Sequence, residues 1–161
     1  MTNVGITGHQ RLPECGDWEW VSLQLNAAVS QVPPPVVGIS SLAIGADQLF
    51  AEAVLSAGGT LEAIIPFETY VDTFQDGDRA KFKQLRGLSR RVEVLARGGS
   101  DEECYLAAGK RVADLSDLLV AVWNGKPAEG LGGTADIVRY ASDRKKRVLH
   151  INPVDRTVTN Y

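Results

Sequence analysis

Residues Leu118-Leu-Val-Ala-Val-Trp123 form an unbroken apolar run, and the chain passes at once into Asn124-Gly-Lys-Pro-Ala-Glu-Gly-Leu-Gly-Gly-Thr134-Ala-Asp136. A strand that is apolar at every position, not at alternate ones, is buried on both faces. That pattern belongs to parallel sheets covered by helices. Residues 137–144 follow with helical spacing. A buried strand, a glycine-rich loop and a helix start, in that order, make a site for an anion. The free N–H groups of the first helical turn point outward there, and the helix dipole favours negative charge. Gly132 and Gly133 lack side chains, so a phosphate can approach the backbone closely; the same glycines also suit a tight turn that binds nothing.

The rest of the chain repeats this rhythm. Short runs rich in Val, Ile and Leu are predicted as strands at 4–7, 36–40, 61–66, 92–95, 118–123 and 148–151. Helical patterns lie between them at 18–32, 46–57, 70–88, 101–115 and 134–144. The first places Trp18, Val21, Leu25, Val29 and Val32 on one stripe. The second stops at Gly58-Gly59, and the fourth starts with Ser100 as N-cap and Glu103 at the capping-box position. The third is weaker and reads as two short helices broken near Asp76-Gly77-Asp78. Strand–helix alternation over 161 residues, without a linker or a second composition regime, predicts one α/β domain. The expected architecture is a three-layer, Rossmann-like sandwich with a mostly parallel sheet. The tail 155–161 is read as a loose end or an edge segment.

Composition narrows the function classes. With 44% hydrophobic and 23% charged residues and a net charge of −3, the chain has no basic face suited to a nucleic-acid coat. The cations at 144–147 end a helix, where the dipole favours them. Two cysteines and two histidines, with no CxxC, argue against a metal cage or a disulfide framework, and no cofactor is expected. Cys104 reads as a small buried residue. No apolar run approaches the ~20 residues that span a bilayer. The N-terminus lacks a basic, hydrophobic leader, which predicts a cytoplasmic protein.

In an open α/β sheet, ligands bind beyond the carboxyl ends of the strands. The loops there contain Gly8, His9 and Arg11, then Ser40, Ser41, Gly45 and Asp47, and finally Trp123 with Gly132, Gly133 and Thr134. Two helices thus start at this edge with Ala-Asp, bringing Asp47 and Asp136 into their first turns. Either aspartate can accept from a ribose hydroxyl or stabilise a developing cation, and either also suits the dipole without a ligand. Arg11 can clamp a phosphate, His9 can transfer protons, and Trp123 can stack on a base. Ser40 and Ser41 can donate to phosphate or merely cap a turn. Trp20, Leu23 and Ala27 lie beside the core stripe of the first helix, and this second apolar face predicts a homo-oligomer, in its simplest form a two-fold dimer.

The segments Gly5-Ile-Thr-Gly-His9-Gln-Arg11, Ser40-Ser-Leu-Ala-Ile-Gly-Ala-Asp47, Ser116-Asp-Leu-Leu-Val-Ala-Val-Trp123 and Gly132-Gly-Thr-Ala-Asp136, taken together, resemble the SLOG superfamily. This Rossmann-like group includes the DNA-processing protein A fold, the LOG phosphoribohydrolases and sensor domains for nucleotide-derived signals. The resemblance covers about residues 3–152 and implies a nucleotide-like ligand with its phosphate on the glycine loop. LOG enzymes carry Pro-Gly-Gly-x-Gly-Thr-x-x-Glu, and the glutamate serves glycosidic cleavage. Here Ile137 stands at that place, and Asp136 is rotated about 100° away on the helix. The expected function is a sensor or carrier module for a nucleotide. A nucleoside-monophosphate phosphoribohydrolase using Asp47 and Asp136 is the enzyme alternative, and a molybdenum-cofactor carrier is a third reading. Without a basic face, the resemblance to DNA-processing protein A does not bring DNA binding with it.

Overall fold

The computed structural model describes residues 1–12, 16–127, 131 and 133–161. A strand forms at each apolar run: β1 (Thr2–Gly8), β2 (Val36–Ser40), β3 (Thr60–Ile65), β4 (Arg91–Val94), β5 (Leu118–Val122) and β6 (Arg147–Asn152). Between them run α1 (Trp18–Ser30), α2 (Ala46–Ser56), α3 (Asp76–Leu88), α4 (Asp101–Leu115) and α5 (Thr134–Asp143). The tail forms β7 (Thr157–Asn160), an edge strand antiparallel to β6.

The strands form one sheet in the order β4-β3-β2-β1-β5-β6-β7, parallel except for β7. Side chains alternate across it as the pleat requires. Leu118, Val120 and Val122 join the core under α1, α2 and α3, while Leu119 and Ala121 join the core under α4 and α5. Every residue of β2 and β5 is buried, as their apolar runs require. β4 departs from that expectation. It is an edge strand, and Val92 and Val94 are exposed.

Local signals fix the helix starts. The Ser100 hydroxyl accepts from the Glu103 amide at 3.2 Å, and Asp17 caps α1 by accepting from the Trp20 amide at 3.1 Å. Val21, Leu25 and Val29 are buried on the α1 stripe, with Trp18 and Val32 packed at its ends. The expected break near Asp76-Gly77-Asp78 falls two residues earlier. A 3₁₀ helix occupies Glu68–Thr73, and α3 runs unbroken from Asp76 through both glycines. The reason is aromatic packing. Tyr70 meets Phe74 edge-on at 5.0 Å, and Phe74 stacks on Phe82 at 4.7 Å, which pins the 3₁₀ turn against α3. Among the described residues, no helix is long and apolar enough to cross a membrane.

Candidate functional site

The connection after β1 leads to β2 on one side, whereas the chain after β4 crosses back to place β5 on the other side of β1. The connections leaving the carboxyl ends of β1 and β5 therefore run to opposite sides, although the strands stay paired as far as Gly8 opposite Val122. A crevice of about 610 Å³ opens there. Such a switch point is where open α/β sheets bind ligands.

The connections after β1, β2, β3 and β5, one face of α4 and the start of α5 build its walls. Gly8 belongs to the floor because no side chain fits between β1 and α2. A Cβ at this position would lie 2.6 Å from the Ala46 Cβ. Gly45 locks the same junction from the other side. Its φ is +84°, and a Cβ there would meet the His9 and Gln10 carbonyl oxygens at 2.7 and 2.6 Å. The Ala46 amide donates to the His9 carbonyl at 3.2 Å, so the loop after β1 is bonded to the start of α2.

His9 faces the crevice, and its Nε2 accepts from the Asn124 amide at 3.1 Å. An amide can donate only to a ring nitrogen with a lone pair, so the neutral ring carries its proton on Nδ1. Burial pushes the imidazole below its ordinary range, and a side-chain hydrogen bond with Asn124 works in the opposite direction.

Asp47 lies in the first turn of α2, is 8% exposed and lines the crevice. Its Oδ2 accepts from the Ala43 amide at 3.3 Å. Burial pushes this carboxyl up to about 7, and the Ala43 bond offsets only part of that effect. A carboxyl held near neutrality can donate a hydrogen bond when protonated and accept one when ionised.

The expected residues divide by place. Gly8, His9, Arg11, Ser41, Asp47, Trp123, Gly133 and Thr134 all line the crevice. Ser40 and Gly45 do not. The Ser40 hydroxyl is fully buried, accepts from the Leu42 amide at 3.0 Å and donates to the Asp47 carbonyl at 3.4 Å, so it shapes the turn. Gly132 lies outside the described residues.

The expected pairing of Asp47 with Asp136 does not assemble. Thr134 and Ile137, one turn apart, face the crevice, whereas Asp136 is rotated off that line and pairs with Arg139 at 2.7 Å. Ile137 is 2% exposed and packs into the space left by the missing side chain of Gly109, where a Cβ would lie 2.5 Å from its Cδ1. The wall opposite the strands is thus apolar at Ile137.

Trp123 donates from Nε1 to the Lys126 carbonyl at 2.8 Å and leans on the His150 ring at 5.0 Å. His150 in turn bonds the Trp123 carbonyl at 2.7 Å and the Tyr161 hydroxyl at 2.8 Å, so the tail supports the crevice wall from behind.

Tyr70, in the loop after β3, also lines the crevice. The lining residues that no strand-end loop contains, Tyr105, Ala108, Gly109 and Val112, come from one stripe of α4. The small pair Ala108-Gly109 on an otherwise bulky stripe was the available signal for the α4 group.

No protein-family model and no curated protein sequence matches the chain. Solved structures do. DNA processing protein A from Helicobacter pylori, described with a single-stranded DNA binding mode, superposes with a TM-score of 0.63 at 15% identity. That match covers 92% of this chain and 64% of the other. DNA processing protein A from Streptococcus pneumoniae gives 0.64 at 17% identity, over 92% of this chain and 50% of that one. The structural-genomics target TM1055 gives 0.55 at 17% identity, over 92% and 72%. The chain spans half to two thirds of the DNA processing protein A chains that it matches. At these identities the likeness is one of architecture. The chain has a Rossmann-like α/β fold of the kind seen in DNA processing protein A.

Proposed function

We propose that the crevice binds a nucleotide or nucleotide-derived metabolite, with a phosphate at the first turn of α5, and that the chain works as a binding module. The observation that carries this reading is the makeup of one wall. Gly133, Thr134 and Ala135 bring the start of α5 to the crevice, with Arg11 and Lys126 as the cations lining it. Among the described residues, the Thr134 and Ala135 amides make no hydrogen bond, as first-turn amides do before a ligand or water takes them. The expected partner is a small molecule. The single-stranded DNA of the Helicobacter protein also presents phosphates, but a chain of net charge −3 has few cations to track a backbone.

The test is native mass spectrometry of freshly purified protein, followed by calorimetry with nucleoside monophosphates. Gly133 has φ −69° and ψ 167°, which a valine adopts without strain. Gly133→Val should therefore fold and lose binding. Unchanged affinity in the folded variant refutes the reading.

One observation favours a second reading, cleavage of the N-glycosidic bond. The Asp47 carboxyl, near neutrality in the crevice, suits a general acid that protonates a departing base. Against it stands Ile137, since no second carboxylate faces the sugar among the described lining residues. The assay is release of free base from AMP, GMP, CMP, UMP and their deoxy forms. Little or no release is expected; robust turnover that vanishes in Asp47→Asn while binding survives establishes the enzyme.

A further inference from the structure

The crevice has a side chamber that no sequence motif announced. Its volume is about 250 Å³, below the ~300–1,000 Å³ of pockets that hold a whole drug-sized ligand. It therefore has room for one ring system. The two spaces share Gln10, Arg11, Ala43, Tyr70 and Tyr105 as walls, so they adjoin. Beyond that boundary the chemistry changes. The α5 terminus and Lys126 line the crevice alone, whereas Ile44, Thr73, Phe74, Gln75 and Asp78 line the chamber alone, with Arg11 on the boundary. Aromatic rings beside a carboxylate accept a flat neutral group that carries an amino donor.

One polar atom there lacks a partner. Tyr70 is 4% exposed, and among the described residues its hydroxyl makes no hydrogen bond. Buried tyrosine hydroxyls ordinarily find one. Burial, then the nearby Asp47 carboxyl and the Tyr105 phenol, hold this hydroxyl well above its usual range. It thus stays a neutral donor toward whatever fills the space.

Building on the phosphate site proposed above, we infer that this chamber is the base subsite. The nucleobase packs against Tyr105, takes a hydrogen bond from the Tyr70 hydroxyl and presents an exocyclic amine toward Asp78. The ligand class is an amino-bearing nucleoside 5′-phosphate, bound with its phosphate at α5 and its base at the 3₁₀ helix Glu68–Thr73.

Calorimetry with AMP, GMP, CMP, UMP and ribose 5-phosphate tests this on the wild type, Tyr105→Ala and Tyr70→Phe. Tyr70→Phe keeps the ring in its packing and removes only the hydroxyl, so it guards against a folding defect in Tyr105→Ala. The best nucleotide should bind about tenfold or more tighter than ribose 5-phosphate, as base–aromatic stacking gives. UMP, lacking an exocyclic amine, should be the weakest nucleotide. Both substitutions should remove most of the advantage and leave ribose 5-phosphate unchanged. A nucleotide no tighter than ribose 5-phosphate, or an advantage that survives both substitutions, overturns the base subsite and leaves the phosphate site standing. Failure of ribose 5-phosphate and all four nucleotides to bind refutes the phosphate site itself, and this inference with it.

Discussion

Replacing Asp47 with asparagine should stabilise the protein, and should do so only above a definite pH. The carboxyl is buried at the start of α2, and its proton affinity rises from the ordinary 3.8 to about 7 on folding. Below pH 3.8 the group is protonated in both the folded and the unfolded chain and has no effect. Between 3.8 and about 7 the unfolded chain releases the proton while the folded chain keeps it. The folded state then binds more protons, so stability falls as pH rises through that window. Above about 7 both states are ionised and the full penalty is in place. At about 1.4 kcal/mol for each tenfold change in proton affinity, the penalty is ~4 kcal/mol.

Asparagine has the shape of the neutral acid, does not ionise, and can still accept from the Ala43 amide, now 3.3 Å from Oδ2. Urea unfolding of the two proteins, purified free of small-molecule ligands, should therefore show near-equal stability at pH 4. At pH 8 the variant should lead by up to ~4 kcal/mol, a large share of the 5–15 kcal/mol that stabilises a typical domain. Other titrating groups cancel in the comparison. Glu93, held low by its hydrogen bond to Arg111, and His9, held low by burial, are common to both proteins. A stability difference that does not change from pH 4 to pH 8 refutes the account of Asp47 as a buried, near-neutral carboxyl.

Gly45→Ala should cost ~3 kcal/mol or more, because φ of +84° is strained for any Cβ and two carbonyl oxygens stand within 2.7 Å of it. A midpoint shift under 1 kcal/mol, taken as a rough limit, in chemical denaturation would show that the loop after β1 yields instead. We also propose that α1 forms a two-fold contact, since Leu23 is 67% exposed and Ala27, one turn on, is exposed beside it. Light scattering should give twice the mass of the chain, and Leu23→Glu should halve it; a wild-type monomer at tens of micromolar contradicts the contact.

The parallel sheet was legible because β5 is apolar at every position and β2 at all but its last, Ser40, and burial on both faces rewards that pattern. The switch point followed from it, and with it the loops that hold Gly8, His9, Arg11, Ser41, Asp47, Trp123 and Thr134. Local sequence could not show which first-turn aspartate would face the ligand. Asp47 and Asp136 look alike in Gly-Ala-Asp and Gly-Thr-Ala-Asp, yet the extra threonine moves Asp136 one position along the helix, about 100° around it. That single residue turns Asp136 toward Arg139 and Ile137 toward the crevice. The exposure of β4 was equally hidden, because Val-Glu-Val reads the same at an edge as in the middle of a sheet. Tyr105 was invisible as a site residue for a different reason. It lies on α4, outside every strand-end loop, and only tertiary packing makes it a neighbour of Tyr70 in the loop after β3, with ring centres 6.2 Å apart.

Two helix N-termini converge on this crevice, and they differ in what they can receive. At α2 the position an external anion would take is already filled, because the Asp47 carboxyl accepts the Ala43 amide. A phosphate placed there would meet a like charge whenever Asp47 is ionised, and would drive its proton affinity higher still. At α5 the first-turn carboxylate belongs to Asp136, which is held by Arg139 away from the crevice, so the Thr134 and Ala135 amides face open space. The dipoles alone would favour an anion equally at either end. Side-chain placement breaks the tie, and it does so in a way that polarises the whole site. On the reading proposed above, the phosphate goes to α5, a sugar hydroxyl meets Asp47, and the base meets the aromatic rings beyond it. A molecule that is anionic at one end, hydroxylated in the middle and flat at the other satisfies all three zones in that order.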